Sequence, residues 1–163
     1  MKMQSYRWCA AWMLVMGLGS MPYASGQNVM VETNAPTVRK ARSSLLAAEQ
    51  KLLGKHKFSL QWISWERFGV AEVKRGRNGL EINAKQSLNG DWVTVRGTVE
   101  VIDERAFLVT GQIITKVYHI NNGQPCERSG TYEFRATGNR KYWRMQQMDN
   151  PCDSATDYVD VFF

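Results

Sequence analysis

From Phe58 to the C-terminus the chain alternates apolar and polar residues with a period of two, and turn signals interrupt the alternation. In "GLEINAKQSL", Leu80, Ile82 and Ala84 stand against Glu81, Asn83, Lys85 and Ser87. "DWVTVRGTVEV" sets Val93, Val95, Val99 and Val101 against Thr94, Arg96, Thr98 and Glu100. "GTYEFRATG" sets Tyr132, Phe134 and Ala136 against Thr131, Glu133 and Arg135. Successive side chains on a strand point to opposite faces, so the pattern means half-buried antiparallel strands. "FSLQWISWERFGVAEV" reads as one long bent strand or two short ones, "AFLVTGQIITKVYHI" as a long strand, and "KYWRMQQM" and "DYVDVFF" as the last two.

Asn78-Gly79, Asn89-Gly90 and Gly138-Asn139 signal tight turns, while "IDERAF" and "NNGQPC" make longer connections. The expected fold class is therefore mainly β, an up-and-down antiparallel meander of about seven or eight strands. Such a meander must close or be covered to hide its edges, which predicts a small barrel or a curled sheet over residues 55–163.

Before the strands the period changes. Val38, Ala41, Leu45, Ala48 and Leu52 recur at helical spacing, flanked by Leu46 and Leu53, which predicts one amphipathic α-helix over residues 37–54. Asn34 or Thr37 suits its cap, Pro36 its first turn and Gly54 its end. The helix either packs on the strands or, over residues 37–53, receives a protein partner; it is short for independent association. Residues 27–36 lack periodicity and read as a flexible leader.

The first 26 residues read as a signal peptide: Lys2 and Arg7, an apolar run from Trp8 to Leu18, then Ala24 and Gly26 at small-residue cleavage positions. That run is shorter than the ~20 residues a span needs. Export to the periplasm or the extracellular space follows. Lys2 and Arg7 leave with the peptide, so 19 basic residues face 15 acidic ones, a net charge of +4. Cys9 leaves too, and Cys126 and Cys152 remain as an even pair, which in an oxidising compartment predicts a disulfide.

Chemistry-bearing motifs are absent: no GxSxG, HExxH, Walker loop or GxGxxG occurs. Only His56 and His119 are available as imidazole ligands, and they are far apart. Asp149, Asp153 and Asp157 are spaced by four across a Pro-Cys turn and form a weak candidate for a hard cation, against the simpler reading as turn chemistry. No metal or cofactor is expected. Glu66 and Glu72 are the outside candidates for acid–base work. Lys74, Arg75 and Arg77 read as a solvated hairpin tip. Arg135, Arg140, Lys141 and Arg144 are interleaved with Tyr142 and Trp143, but the modest net charge of an exported chain argues against nucleic acid.

Aromatic residues are the richest feature. Trp62, Trp65, Trp92, Tyr118 and Trp143 are the candidate ligand-binding residues of a cavity or face, with burial in a packed core as the alternative. Spaced by three, Trp62 and Trp65 would face opposite sides of a straight strand.

The early "LLGKHKFSLQW" followed by a meander of hairpins resembles the lipocalin-like (calycin) barrels. In those families a Gly-x-Trp lies on the first strand, and a basic residue near the last strands packs over its Trp. Here Gly54-Lys55-His56 occupies the motif position, the nearest tryptophan is Trp62, and Arg144 corresponds to the basic residue. The resemblance covers residues 54–163 and implies transport, sequestration or inhibition by ligand binding in a barrel mouth.

The resulting expectation is an exported binding module for a small apolar molecule or a peptide. A protein-interaction, inhibitor or envelope accessory module is the alternative. A small outer-membrane barrel is a further one, suggested by Phe163 with Val161 and Val159 alternating behind it. Strands of about 6–9 residues fall short of the ~9–11 that a tilted span needs, so membrane association is not favoured.

Overall fold

The computed structural model of the chain describes residues 35–163. The expected signal peptide, and residues 27–34 of the expected leader, lie outside the described residues. Helix α1 (Ala35–Leu52) leads into β1 (Gly54–Leu60), β2 (Gly69–Gly76), β3 (Gly79–Leu88), β4 (Asp91–Asp103), β5 (Ala106–Lys116), β6 (Cys126–Arg135), β7 (Tyr142–Met145) and β8 (Val159–Phe162). Every strand pairs antiparallel with the next in sequence, and β8 returns to β1 to close a barrel. Closure, rather than a curled sheet, is how this meander hides its edges.

The helix starts at Ala35, two residues before the expected boundary, and this places Thr37 inside the helix instead of at its cap. Pro36 is accommodated because the first-turn N–H it lacks has no intrahelical acceptor. Gly54, with φ at 111°, turns the chain out of the helix and into β1. Only the second half of the apolar stripe is covered: Ala48 and Leu52 are buried, whereas Val38 and Leu45 are exposed. Arg75 of β2 reaches Glu49 of α1 at 2.5 Å, so part of the basic hairpin fastens the helix.

"FSLQWISWERFGVAEV" divides into β1 and β2, separated by a loop over residues 61–68. Ser64 Oγ accepts the N–H groups of Glu66 and Arg67, and this local turn competes with strand continuation. Trp62 and Trp65 consequently sit on a loop, and both are exposed; strand alternation does not decide their sides.

The loops alternate between two ends of the barrel. The helix end carries α1, the β2–β3 and β4–β5 turns, the loop over residues 136–141 and Phe163. The rim end carries the loops over 61–68, 89–90, 117–125 and 146–158. A row of glycines, Gly97, Gly111 and Gly130, crosses β4, β5 and β6 in register. A Cβ on Gly97 would lie 2.4 Å from the Thr110 carbonyl oxygen, and one on Gly111 would lie 2.0 Å from that of Arg96. Only glycine permits this close backbone approach, which lets the sheet bend sharply enough to close.

The interior is solid. Phe58, Leu60, Ala71, Ala84, Val93, Val95, Val109, Ile113, Phe134, Met145, Val159 and Val161 have 0 % exposure. A side chain bordering a void that admits water would retain accessible area, so no water-sized void touches them. Eight strands give an interior that side chains just fill. The outer wall is wet, with Lys85, Arg96, Thr98, Thr110, Glu127 and Thr131 exposed along β3 to β6.

His56, at the Gly-x-Trp position, points inward and meets Trp143 of β7 edge-on at 5.9 Å. The Lys51 ammonium lies 5.4 Å from the Trp143 ring centroid. The aromatic that a cation covers here is therefore Trp143 of β7, and the cation comes from α1. Arg144 is not the packing cation: it faces outward and forms a two-pronged bond with Asp160, at 2.8 and 2.7 Å. Its guanidinium lies 4.1 Å from the Tyr158 ring centroid. The Asp160 bond is the main reason its pKa is raised.

Candidate functional site

The rim end holds the largest gathering of exposed aromatic rings, and what positions them is a set of polar staples. Gln86 shares the inward face of β3 with Leu80, Ile82 and Ala84 and is itself buried. Its Oε1 accepts the Leu60 N–H at 2.7 Å, and its Nε2 donates to the carbonyls of Ser64 and Arg67 at 3.0 and 2.9 Å. An inward-facing amide is tolerated because all its main bonds are made, and it pins the 61–68 loop from below. Gln61 joins that loop to the last one, donating to the Thr156 carbonyl at 2.5 Å and accepting the Tyr158 N–H at 2.7 Å.

The last loop folds over Arg128. This residue shares its face of β6 with Tyr132 and Phe134 and is likewise drawn inward. Its guanidinium donates to the Asp149 carbonyl at 3.1 Å and to Asp157 Oδ2 at 2.8 Å. Asn150 donates to the same carboxylate oxygen at 3.1 Å. Asp157 is 1 % exposed, and burial pushes its carboxyl above the ordinary value even though the Arg128 charge and the hydrogen bonds pull the other way. Asp153 behaves oppositely: N–H bonds from Asn121, at 2.7 Å, and Ser154 lower its carboxyl. The Asn121 bond ties the 117–125 loop to the 146–158 loop. A disulfide between Cys126 and Cys152 crosses the same two segments, with Cα atoms 5.9 Å apart.

Four of the five aromatic candidates lie toward this end. The Trp62 ring packs against His119 at 5.7 Å, and His119 against Tyr118 at 4.7 Å. Tyr118 is 77 %, Trp65 47 % and Trp62 36 % exposed. Asp91 Oδ1 accepts the Tyr118 N–H at 2.9 Å and so joins the cluster to the start of β4, where Trp92 follows. Trp92 lines a groove of about 330 Å³ on the outer wall together with Lys85, Ser87, Thr94, Arg96, Gln112 and Ile114. Trp143 is separate. It is buried toward the helix end, against Phe107, His56 and Phe163.

Asp149, Asp153 and Asp157 do not converge. Asp153 accepts backbone bonds, Asp157 pairs with Arg128, and Asp149 takes part in a β-bridge with Thr156. Among the described residues no group of three His, Cys, Asp or Glu side chains is arranged to hold a metal ion. Glu66 is exposed on the 61–68 loop, and Glu72 lies opposite Lys55 in the β1–β2 register. The residues missed by sequence reasoning are Gln86, Gln61 and Arg128. Parity was the available signal for two of them: a polar side chain in step with an apolar face must find a buried partner.

The disulfide is the one expected from the cysteine count, and among the described residues no helix is long and apolar enough to cross a membrane. Comparison with known proteins adds a family. The model of the PM1083 family matches residues 37–163. A Pasteurella multocida (strain Pm70) protein named "Uncharacterized protein PM1083" is 52 % identical over 146 residues, covering 90 % of this chain and 91 % of that protein. No solved structure matches. The closed antiparallel barrel is compatible with a calycin-like fold.

Proposed function

This chain belongs to the PM1083 family, and we propose that it is an exported interaction module that grips an apolar or aromatic segment of a protein partner with its rim. The observation carrying this reading is the pairing of a solid interior with exposed rings on braced loops. A carrier of the resembled type needs a hollow, and the side chains at the barrel centre have no surface open to water. Trp62, Trp65 and Tyr118 leave large apolar surfaces in water, while Gln61, Gln86, Asp153 and the disulfide hold the loops beneath them. Rigid Trp and Tyr side chains bind at low entropic cost because little freedom remains to be lost. Export is supported by the disulfide and by the signal peptide expected over residues 1–26.

The outer wall supports a water-facing barrel over the outer-membrane alternative. A lipid-facing band requires apolar residues outside and polar ones inside, and this barrel has the reverse. The test is a photo-crosslinking side chain placed at Tyr118 of the exported protein in its native envelope, with parallel placements at Leu46 on α1 and at Arg140. One discrete adduct from Tyr118, absent from Arg140, is the expected result. Adducts from Leu46 alone would overturn the rim reading in favour of the helix, and equal adducts from all three positions would mean there is no defined contact.

A further inference from the structure

Strand β1 begins at Gly54, yet β8 pairs with it only from Phe58 to Leu60. Toward the helix end the barrel seam therefore parts. The Phe162 carbonyl is met there by His56 Nδ1, at 3.0 Å, and His56 Nε2 lies 2.8 Å from the Leu52 carbonyl. His56 thus bridges the end of α1 and the end of β8 and holds the parted seam as a groove. The groove measures about 460 Å³ and is lined by Lys51, Lys55, His56, Lys57, Lys141, Phe162 and Phe163. This volume is within the range of small-ligand sites, about 300–1,000 Å³.

Among the described residues no acidic side chain lines it. Among the described residues none of the four lysines takes part in an ion pair. Glu72 faces Lys55 in the strand register but lies beyond ion-pair distance. Lys51 is 3.7 Å from the Phe163 ring centroid, so one ammonium is already desolvated on one side. Four positive charges around one groove repel each other, and an anion placed among them would relieve that repulsion while gaining charge-assisted hydrogen bonds. Lysine binds phosphate as a compact point charge, and several ammonium groups around one groove can each meet a different oxygen of a phosphate.

We propose that this groove is a phosphate-binding site, distinct from the rim, for a phosphate borne by a soluble compound or by the headgroup of an anionic lipid. The test uses the purified mature protein with two probes, inorganic pyrophosphate and phosphatidylglycerol vesicles set against neutral phosphatidylcholine ones. The groove variant is K55Q/K57Q/K141Q, with Lys51 kept because it packs on Phe163. K74Q/K85Q/R96Q removes the same charge from the outer wall. At least one probe is expected to bind, with affinity reduced about tenfold or more by the groove substitutions and changed little by the outer-wall ones. Pyrophosphate alone would identify a soluble phosphate, and phosphatidylglycerol alone a lipid. In the unsubstituted protein, amide shifts on binding should centre on His56, Phe162 and Phe163, a readout that does not depend on the variant's folding. Binding of neither probe, equal loss in both variants, or amide shifts elsewhere would overturn the site.

Discussion

At the rim end three loops are fastened by hydrogen bonds, a buried ion pair and a disulfide; at the helix end one helix rests on the barrel, burying Ala48 and Leu52. The rim bonds are polar and directional: some run from loop to loop, and others anchor a loop on Gln86 of β3 or Arg128 of β6. The helix contact is mainly apolar, supplemented by the exposed Arg75–Glu49 ion pair and the His56 contact with the Leu52 carbonyl, and half of the helical stripe is left in water. A chain that fastens irregular loops this firmly keeps their side chains in one arrangement, which a binding surface requires. The helix end instead gathers four lysines that form no ion pair among the described residues.

This contrast can be broken from either side. Asp157→Ala should have the largest effect, because it leaves Arg128 buried without its counter-charge; a loss of about 3–5 kcal/mol in denaturant unfolding is expected. Hydrogen exchange should rise first in the 146–158 loop. Leu52→Ala should cost about 2–5 kcal/mol, with exchange rising in α1 while the rim loops keep their protection; equal exposure of both ends would show that the two are one cooperative unit. Reduction of Cys126–Cys152, whose partners are 26 positions apart, should lower stability by about 3 kcal/mol in the chain-entropy model. An unchanged melting temperature would mean that the link constrains nothing.

The smallest effect expected is on pH dependence, and it has two opposing parts. The Asp157 carboxyl is raised by burial, so the folded state holds its proton more tightly than the unfolded chain does. That contribution favours folding at low pH and is lost as pH rises from the ordinary aspartate value through the folded one. The Asp153 carboxyl is lowered by backbone bonds, so its contribution is present above the ordinary value and is lost as pH falls through the folded one. Carbon-detected titration of the two carboxyls should show midpoints displaced in opposite directions, and displacement in the same direction would contradict the distinct environments described here.

Much of the fold was legible in the residues. Alternation in β3, β4 and β6 predicted which side chains go inward, and Leu80, Ile82, Val93, Val95, Tyr132 and Phe134 are all buried. Asn89 and Gly90 turn with positive φ, as their residue types require. The cysteine pair followed from number and compartment alone. The aromatic candidates were harder to place, because a tryptophan stabilises a core and a binding face by the same burial of area. Trp143 went inside as part of β7, and Trp65 outside because the 61–68 segment leaves the sheet as a loop.

What the sequence determined by itself was therefore periodicity: one helix, a meander of strands, and a face for each regular residue. Such patterns are local, repeated every two or about 3.6 residues, and need no knowledge of distant partners. Tertiary structure alone decided that the barrel is solid, that Arg128 and Asp157 meet across 29 positions, and that the seam parts where four lysines gather. Those outcomes depend on how the strands close on one another and on which distant groups share a dry space. A residue's identity states what it must satisfy; only closure of the barrel brings the partner that satisfies it.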